Sequence, residues 1–170
     1  RVKIPLKEIK SAVAKDGMLT VRAPGQKLDL ELGPYAEKWA TKILNPKSVI
    51  DKLGIKPGQR VSLIGLDDEG FLQHLNDRGI ETFTGSRAKK DSDAIFLLAT
   101  GAASLDRLAS LKSSIKRAGA IWVVAPKGKQ RIREADILQE GRAAGLVDVK
   151  VVAFSAVYTA HKFVIPAADR

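Results

Sequence analysis

Two short apolar runs, Ala94-Ile95-Phe96-Leu97-Leu98-Ala99 and Ala120-Ile121-Trp122-Val123-Val124-Ala125, decide the fold that we predict for this chain. Neither run alternates with polar residues, which is typical of strands that a parallel sheet buries on both faces. A helix is predicted between them, from a cap at Ser104 to Arg117, and Gly119 ends it. The sequence therefore predicts two buried strands joined by a helical crossover.

Strands and helices continue to alternate on both sides of these runs. Further strands are predicted at 59–65, 80–84, 147–154 and 158–165, and further helices at 47–53, 70–78 and 132–144. Alternation that ends in a hairpin predicts an α/β domain with a mostly parallel sheet, right-handed crossovers and one antiparallel strand at the edge. This is the strand plan of Rossmann-like, methyltransferase-like folds.

The connection between the strands at 80–84 and 94–99 is too short for a helix. It has only about nine residues, 85–93, whereas a helical crossover needs about a dozen or more. We therefore expect one face of the sheet to lack a helix. Because an uncovered parallel sheet exposes a large apolar patch, we expect the N-terminal residues or a second copy of the chain, in a homodimer, to cover that face.

The first 45 residues have a different pattern. Strand-like alternation is found at 9–14, 18–22 and 28–32. Asp16-Gly17 between the first two runs is a hairpin signal, and Pro34 suits the first turn of a following helix. We predict a small antiparallel β-meander plus helix at 1–45 and the methyltransferase-like α/β domain at 46–170.

Composition excludes several classes of site. The chain has no cysteine, which excludes disulfides, cysteine nucleophiles and thiolate-bound zinc. Its two histidines, His74 and His161, are far apart in sequence without nearby ligand spacing, so we predict no metal site. No apolar run approaches the roughly 20 residues that cross a bilayer, and no signal pattern begins the sequence. We expect a cytoplasmic protein that does not contact a membrane.

The net charge of +10 favours an anionic ligand or nucleic acid as a partner. Two of the loops expected at the carboxyl ends of the strands are basic. We hypothesise an anion-binding rim made of these loops and of the amides near one helix start: Arg87, Lys89, Lys90, Ser104, Lys127, Lys129, Arg131 and Arg133. The alternative is that these are solvated basic loops.

Six segments between residues 47 and 166 share motifs with a known family. They are Lys52-Leu53-Gly54-Ile55-Lys56-Pro57-Gly58, Ile95-Phe96-Leu97-Leu98-Ala99, Ala103-Ser104-Leu105, Ile121-Trp122-Val123-Val124-Ala125-Pro126-Lys127-Gly128, Gly145-Leu146-Val147 and Ala160-His161-Lys162-Phe163. Together they resemble a widespread bacterial domain family of unknown function. That family usually has Trp-Ser-Ala before a basic residue and Phe, where this chain has Tyr158-Thr159-Ala160-His161-Lys162-Phe163. The resemblance implies a degenerate methyltransferase-like fold and a bacterial cytoplasmic origin, and it implies no reaction.

Methyl donors in such folds are held by a glycine-rich turn after the first strand and by an acid that ends the second strand. Here the turn from Gly65 to Gly70 contains three consecutive acids, Asp67-Asp68-Glu69, and the second strand ends at Thr84-Gly85 without an acid. The acids are typical of the first turn of a helix, where carboxylates offset the helix dipole. We predict no cofactor, and Gly65, Gly70 and Gly101 are the candidates for lining the crevice.

No catalytic residue is predicted. His161 has no serine and acid placed to complete a triad, and a packed or surface histidine is the simpler interpretation. The leading interpretation is a non-catalytic binding or interaction protein on a degenerate methyltransferase-like fold. Two alternatives remain open: an S-adenosylmethionine-dependent methyltransferase and a basic nucleic-acid-binding module.

Overall fold

The computed structural model describes residues 2–45, 47–128 and 132–170. The chain forms two compact units, Arg1–Ser48 and Val49–Arg170. None of the helices in the described residues combines the length and the apolar character needed to cross a membrane.

The first unit is an antiparallel meander with one helix. Its strands β1 (Ser11–Lys15), β2 (Met18–Ala23) and β3 (Gln26–Glu31) pair in that order and are followed by the helix α1 (Ala36–Leu44). Asp16 and Gly17 turn the chain between β1 and β2 with φ angles of 48° and 79°, the geometry that an Asp-Gly hairpin predicts. Leu19 of β2 and Ala40 of α1 lie in one buried cluster. The predicted meander plus helix is confirmed.

The second unit is a six-stranded sheet with helices on both faces. Its elements in chain order are α2 (Val49–Leu53), β4 (Arg60–Ile64), α3 (Glu69–Asp77), β5 (Glu81–Gly85), β6 (Ser92–Leu98), α4 (Ala102–Leu105), α5 (Leu108–Lys112), β7 (Ile115–Pro126), α6 (Glu134–Ala143), β8 (Val147–Ala153) and β9 (Tyr158–Val164). The strand order is β5-β4-β6-β7-β9-β8; the first four strands are parallel, and β9 is antiparallel to both of its neighbours. The predicted α/β fold, a mostly parallel sheet ending in an antiparallel hairpin, is confirmed.

The antiparallel strand lies in a different position from the one predicted. We expected it at the edge of the sheet, but β9 lies between β7 and β8, and β8 forms the edge. The crossover from β7 through α6 places β8 one position away from β7, and the final hairpin fills the gap with β9. Ala160 and Phe163 of β9 are consequently 0% exposed.

Both faces of the sheet are buried, as the two continuous apolar runs predict. On one face, the rings of Phe96 and Trp122 lie parallel with centroids 6.0 Å apart, and Phe71 of α3 meets Phe96 edge-on at 5.3 Å. On the other face, Ile95 and Ile121 share an apolar cluster with residues of α4, α5 and α6. Successive residues of β6 and β7 therefore point into different layers of the core.

The helix predicted over 104–117 is wrong at both ends. Two short helices, α4 and α5, replace it, and β7 begins before the predicted helix would end. Gly101 is the residue that precedes α4, and Ser104 lies inside that helix. The hydroxyls of Ser110 and Ser113 donate to the carbonyl three residues earlier, a local bond that competes with regular helix and ends α5 early.

The connection between β5 and β6 contains no helix, as predicted, and it is tied onto the sheet by a ring of three hydrogen bonds. Ser62 Oγ lies 2.9 Å from Ser92 Oγ, Ser92 Oγ donates to the carbonyl of Lys89 at 2.6 Å, and Lys89 N–H donates to Ser62 Oγ at 2.9 Å. Because the Ser92 proton goes to the carbonyl, Ser62 must donate to Ser92, and each donor is used once. The sheet nevertheless has helices on both faces, α2 and α3 on one and α4, α5 and α6 on the other, so the expectation that one face lacks a helix is wrong. The homodimer expected from it stays a prediction.

Replacing Ser62 with Ala should lower the free energy of unfolding by about 1–3 kcal/mol, because the Lys89 amide loses its acceptor and Ser92 loses a donor. Urea unfolding measures the stability, and hydrogen exchange should show faster exchange of the Lys89 amide. Ser110→Ala, at an exposed position of α5, is the control and should change stability by no more than about 0.5 kcal/mol. Equal stability of the two variants would contradict the role of the ring.

Gly141 of α6 allows this helix to approach Phe163 of β9. A Cβ atom at Gly141 would lie 2.1 Å from Phe163 Cε1. Gly141→Ala should therefore lower the free energy of unfolding by about 1–3 kcal/mol, although Ala ordinarily favours a helix by about 1 kcal/mol over Gly. The control is Gly70→Ala in α3, where the nearest atom to the new Cβ is Asp68 Oδ1 at 3.5 Å; thermal unfolding should show no loss there. A Gly141→Ala variant as stable as the parent would mean that α6 can move away from the sheet.

Candidate functional site

The carboxyl ends of the parallel strands, where ligands of open α/β sheets bind, carry a crevice formed by two adjoining cavities. The first is about 340 Å³ and is lined by Leu63, Gly65, Leu66, Asp67, Asp68, Leu72, Thr84 and Gly85. The second is about 370 Å³ and is lined by Ile64, Gly65, Gly85, Ser86, Leu97, Leu98, Ser104 and Arg107. Gly65 and Gly85 belong to both linings, so the crevice lies where β4, β5 and β6 end.

The turn after β4 differs from a glycine-rich ligand turn. Gly65 has a φ of 67°, which reverses the chain at the end of β4. Leu66 then points inward, and Asp68 accepts a hydrogen bond of 2.9 Å from the Phe71 amide as the N-cap of α3. The acidic run is therefore the start of a helix, as interpreted from the sequence. Of the three candidate glycines, only Gly65 lines either cavity.

Arg107 bridges the crevice. It lies between α4 and α5, and its Nη2 donates a hydrogen bond to the carbonyl oxygen of Ser86, the first residue after β5. Both residues line the second cavity. Ser104, which also lines this cavity, accepts a long hydrogen bond of 3.4 Å from the Thr100 amide. Sequence reasoning missed Arg107, because its neighbours form no recognisable motif.

The basic residues of the hypothesised rim that the structure describes lie in two separate places. Beyond Ser86 the chain returns towards the start of β4: the Lys89 amide binds Ser62, and the Lys90 carbonyl accepts from Arg60 Nη1 at 3.2 Å. These two lysines therefore lie beside the body and amino end of β4, far from the residues that follow β7. The remaining rim residues are Arg87, exposed directly after Ser86; Lys127 and Arg133, which follow β7; and Lys129 and Arg131, which lie outside the described residues.

A separate cavity of about 350 Å³, here called the β7 cavity, lies beyond the carboxyl end of β7. Its lining comes from the end of β7, the start of α6 and the neighbouring strands: Ala125, Pro126, Lys127, Gly128, Ile132, Arg133, Glu134, Ile137, Val151, Thr159 and His161. Lys127 Nζ donates to the Ser155 carbonyl at 2.6 Å. Arg133 holds Asp136 with Nη2–Oδ1 at 2.8 Å, and this pairing raises the pKa of Arg133 and lowers that of Asp136.

His161 is the buried polar group of the β7 cavity. The residue is 5% exposed, and its Nδ1 atom has no hydrogen-bond partner among the described residues. Burial lowers the pKa of the imidazole below its ordinary value of 6.5, against smaller opposing effects of the Glu134 and Asp148 carboxylates. The ring is therefore neutral at pH 7 and keeps an unused nitrogen inside the protein. The described residues contain no group of three or more metal-binding side chains.

Comparison with known proteins identifies the fold. No protein-family model and no curated protein matches the chain. The solved structures similar to it include an S-adenosylmethionine-dependent methyltransferase from Aquifex aeolicus, with 15% identity over 74% of this chain and 93% of that one (TM-score 0.58). CalO1, a methyltransferase of calicheamicin biosynthesis, has 17% identity over 69% of this chain and 52% of its own (TM-score 0.54). The pyocyanin biosynthetic protein PhzM has 13% identity over 78% and 59% (TM-score 0.52). At these identities the likeness shows a methyltransferase-like fold, and the resemblance to one bacterial family stays a prediction.

The buried His161 should make stability depend on pH. As pH falls below 6.5, the unfolded chain binds a proton that the folded imidazole resists, so the free energy of unfolding falls until the lowered folded pKa is reached. The loss amounts to about 1.4 kcal/mol for each unit between the two pKa values. Urea unfolding at several pH values from 7.5 to 5 should show this loss in the parent and in His74→Gln, which replaces the exposed histidine. His161→Gln should lack it, and parallel pH profiles for all three proteins would disprove the assignment.

Proposed function

We propose that the chain is a non-catalytic binding protein built on a methyltransferase-like sheet, and that its crevice does not hold S-adenosylmethionine. The hydrogen bond from Arg107 to the Ser86 carbonyl supports this proposal most directly. It occupies the end of β5, where an acid would bind the ribose of an adenosyl ligand, and Gly85-Ser86-Arg87 supplies no such acid.

The turn after β4 gives independent support. A ligand turn needs glycines so that the backbone can approach the ligand closely, but Gly65 is followed by Leu66 and Asp67. Asp67 lines the crevice and Asp68 is engaged in capping α3. The carboxylates at this end of the sheet disfavour a phosphate-bearing ligand by electrostatic repulsion. Because S-adenosylmethionine is a sulfonium cation, the support against it from this turn is the lack of further glycines.

An S-adenosylmethionine-dependent methyltransferase is the second candidate, and the fold of the similar solved structures favours it. The two cavities around Gly65 and Gly85, of about 340 and 370 Å³, occupy the position at which ligands of open α/β sheets bind. A nucleic-acid-binding module is less supported, because Lys89 and Lys90 are separated from the basic residues that follow β7. A homodimer and a cytoplasmic location remain proposals from the sequence.

Calorimetric titration with S-adenosylhomocysteine separates the first two candidates. We expect no detectable binding up to about 1 mM ligand, which corresponds to an affinity weaker than about 4 kcal/mol. The Aquifex aeolicus methyltransferase, titrated in the same buffer, is the positive control. Micromolar binding by this chain would contradict the proposal and favour the methyltransferase.

The variant Arg107→Ala tests the reason for the absence of binding. We expect it to remain without detectable affinity, because the missing acid and the missing glycines are unchanged. Binding of S-adenosylhomocysteine that appears only in this variant would show that the crevice retains a site for the adenosyl ligand and that Arg107 blocks it. Circular dichroism of the variant confirms that the sheet is intact.

A further inference from the structure

The β7 cavity combines an open cleft of about 350 Å³ with an unmet hydrogen bond. His161 lines the cavity, is 5% exposed, and leaves Nδ1 without a partner among the described residues. Buried polar groups are nearly always paired with protein or bound molecules, because an unpaired one costs free energy. A ligand in the cavity with a hydrogen-bonding group near His161 would remove that cost.

The start of α6 adds donors to the same cavity. Arg133, Glu134 and Ile137, which belong to the N-cap and first turn of this ten-residue helix, are part of the lining. The Arg133 amide donates to the Asp136 carboxylate at 3.1 Å. In the described part of the chain the amides of Glu134 and Ala135 have no acceptor, as is usual for the first N–H groups of a helix. Such amides bind oxyanions.

Lys127 provides a cation at the mouth of the cavity. Its ammonium group uses one donor on the Ser155 carbonyl, and an ammonium has three donors. The guanidinium of Arg133 is held by Asp136, and Glu134 places a carboxylate in the same lining. With Arg133 held by Asp136, Lys127 and Glu134 leave this group of side chains without a net charge, which favours a small ligand with one anionic group over a polyanion such as nucleic acid.

Apolar side chains form the rest of the wall. Ile132 and Ile137 are buried, and Val151 of β8, whose side chain is largely exposed, completes the lining on the opposite side. A ligand for this cavity therefore has an apolar body as well as its polar groups.

We propose that the β7 cavity binds a small organic acid. Its carboxylate or phosphate group is held by the first-turn amides of α6 and by Lys127, its apolar body lies against Ile132 and Ile137, and a polar atom of the ligand bonds to His161 Nδ1. This site is separate from the crevice, so it stands whether or not the crevice holds a methyl donor.

The two histidines of the chain make the test direct. Nuclear magnetic resonance of the imidazole signals is followed while benzoate, phenyl phosphate or the uncharged benzyl alcohol is added. We expect at least one of the two acids to shift the His161 signals saturably, with a dissociation constant of about 1 mM or tighter. The exposed His74 should not shift, and it reports any general effect of the additive.

Variants of the intact chain locate the binding site. Lys127→Ala should weaken binding of the acid at least about tenfold, because it removes a charge-assisted hydrogen bond. Arg142→Ala, at the other end of α6, removes an exposed cation of the same helix and should leave the affinity unchanged. His161→Phe, followed through the ligand's own signals, should also weaken binding. If this variant does not fold, the comparison of Lys127→Ala with Arg142→Ala decides.

Each outcome bears on the proposal. Binding of benzoate alone or of phenyl phosphate alone supports it and identifies the anionic group. Benzyl alcohol that binds as tightly as the acids overturns the anionic part, and His161 signals unmoved by all three probes overturn the site. Equal weakening by Lys127→Ala and Arg142→Ala would assign the effect to overall charge and also overturn the proposal.

Discussion

The structure of the second unit depends on how the β5–β6 connection, which contains no helix, is held against the sheet. Residues 86–91 must carry the chain from the end of β5 to the start of β6, and they are too few to form a helix that spans the sheet. The hydroxyls of Ser62 and Ser92, both 0% exposed, solve this by binding the backbone of Lys89 at both its amide and its carbonyl. Polar residues in the middle of an apolar sheet are tolerated here because every donor in the ring has an acceptor. The same arrangement fixes the path of the loop, and it therefore fixes where the basic residues of that loop lie.

Packing on the opposite half of the sheet determines the β7 cavity. Gly141 lets α6 come close to Phe163, and Ile137 of the same helix is buried in the adjoining cluster. The first turn of α6 is thereby held beside the end of β7 and over His161 of β9. Thus a contact near the end of the helix, at a residue without a side chain, positions the amides at its start. Ile137 lines the β7 cavity together with the start of the helix, so the packing of α6 on the sheet shapes one wall of the cavity.

Much of the fold could be predicted because the runs at 94–99 and 120–125 have no polar residues and are as short as strands, which favours strands buried on both faces. The absence of a crossover helix followed from counting residues. The error over 104–117 arose because local serine-to-carbonyl bonds are decided by geometry that a pattern of apolar residues does not contain. The site was less predictable still. Gly65 follows from its place after a strand, but Arg107 meets Ser86 only through tertiary packing, and Lys89 was misplaced because the path of a loop cannot be obtained from its composition. For His161 the sequence left a packed and a surface position open; the structure buries it, and the lack of a partner for Nδ1 among the described residues depends on which neighbours surround it.

The helices that begin along the carboxyl edge of the sheet differ in how many amides of their first turns are free to bind a ligand. Of the parallel strands, β4, β6 and β7 are each followed by a helix, so three helix starts lie along the carboxyl edge. At α3 the side chain of Asp68 already binds the Phe71 amide, and Asp67 and Glu69 place further negative charge there. The helix α4 is only four residues long, so its dipole is small. At α6 the carboxylate of Asp136 accepts from the N-cap amide, and within the described residues the next two amides have no acceptor, although Glu134 adds a second carboxylate to this turn. A binding function on this fold is therefore best supported at the end of β7, which is two strands away from the position after β4 that a methyl donor would occupy.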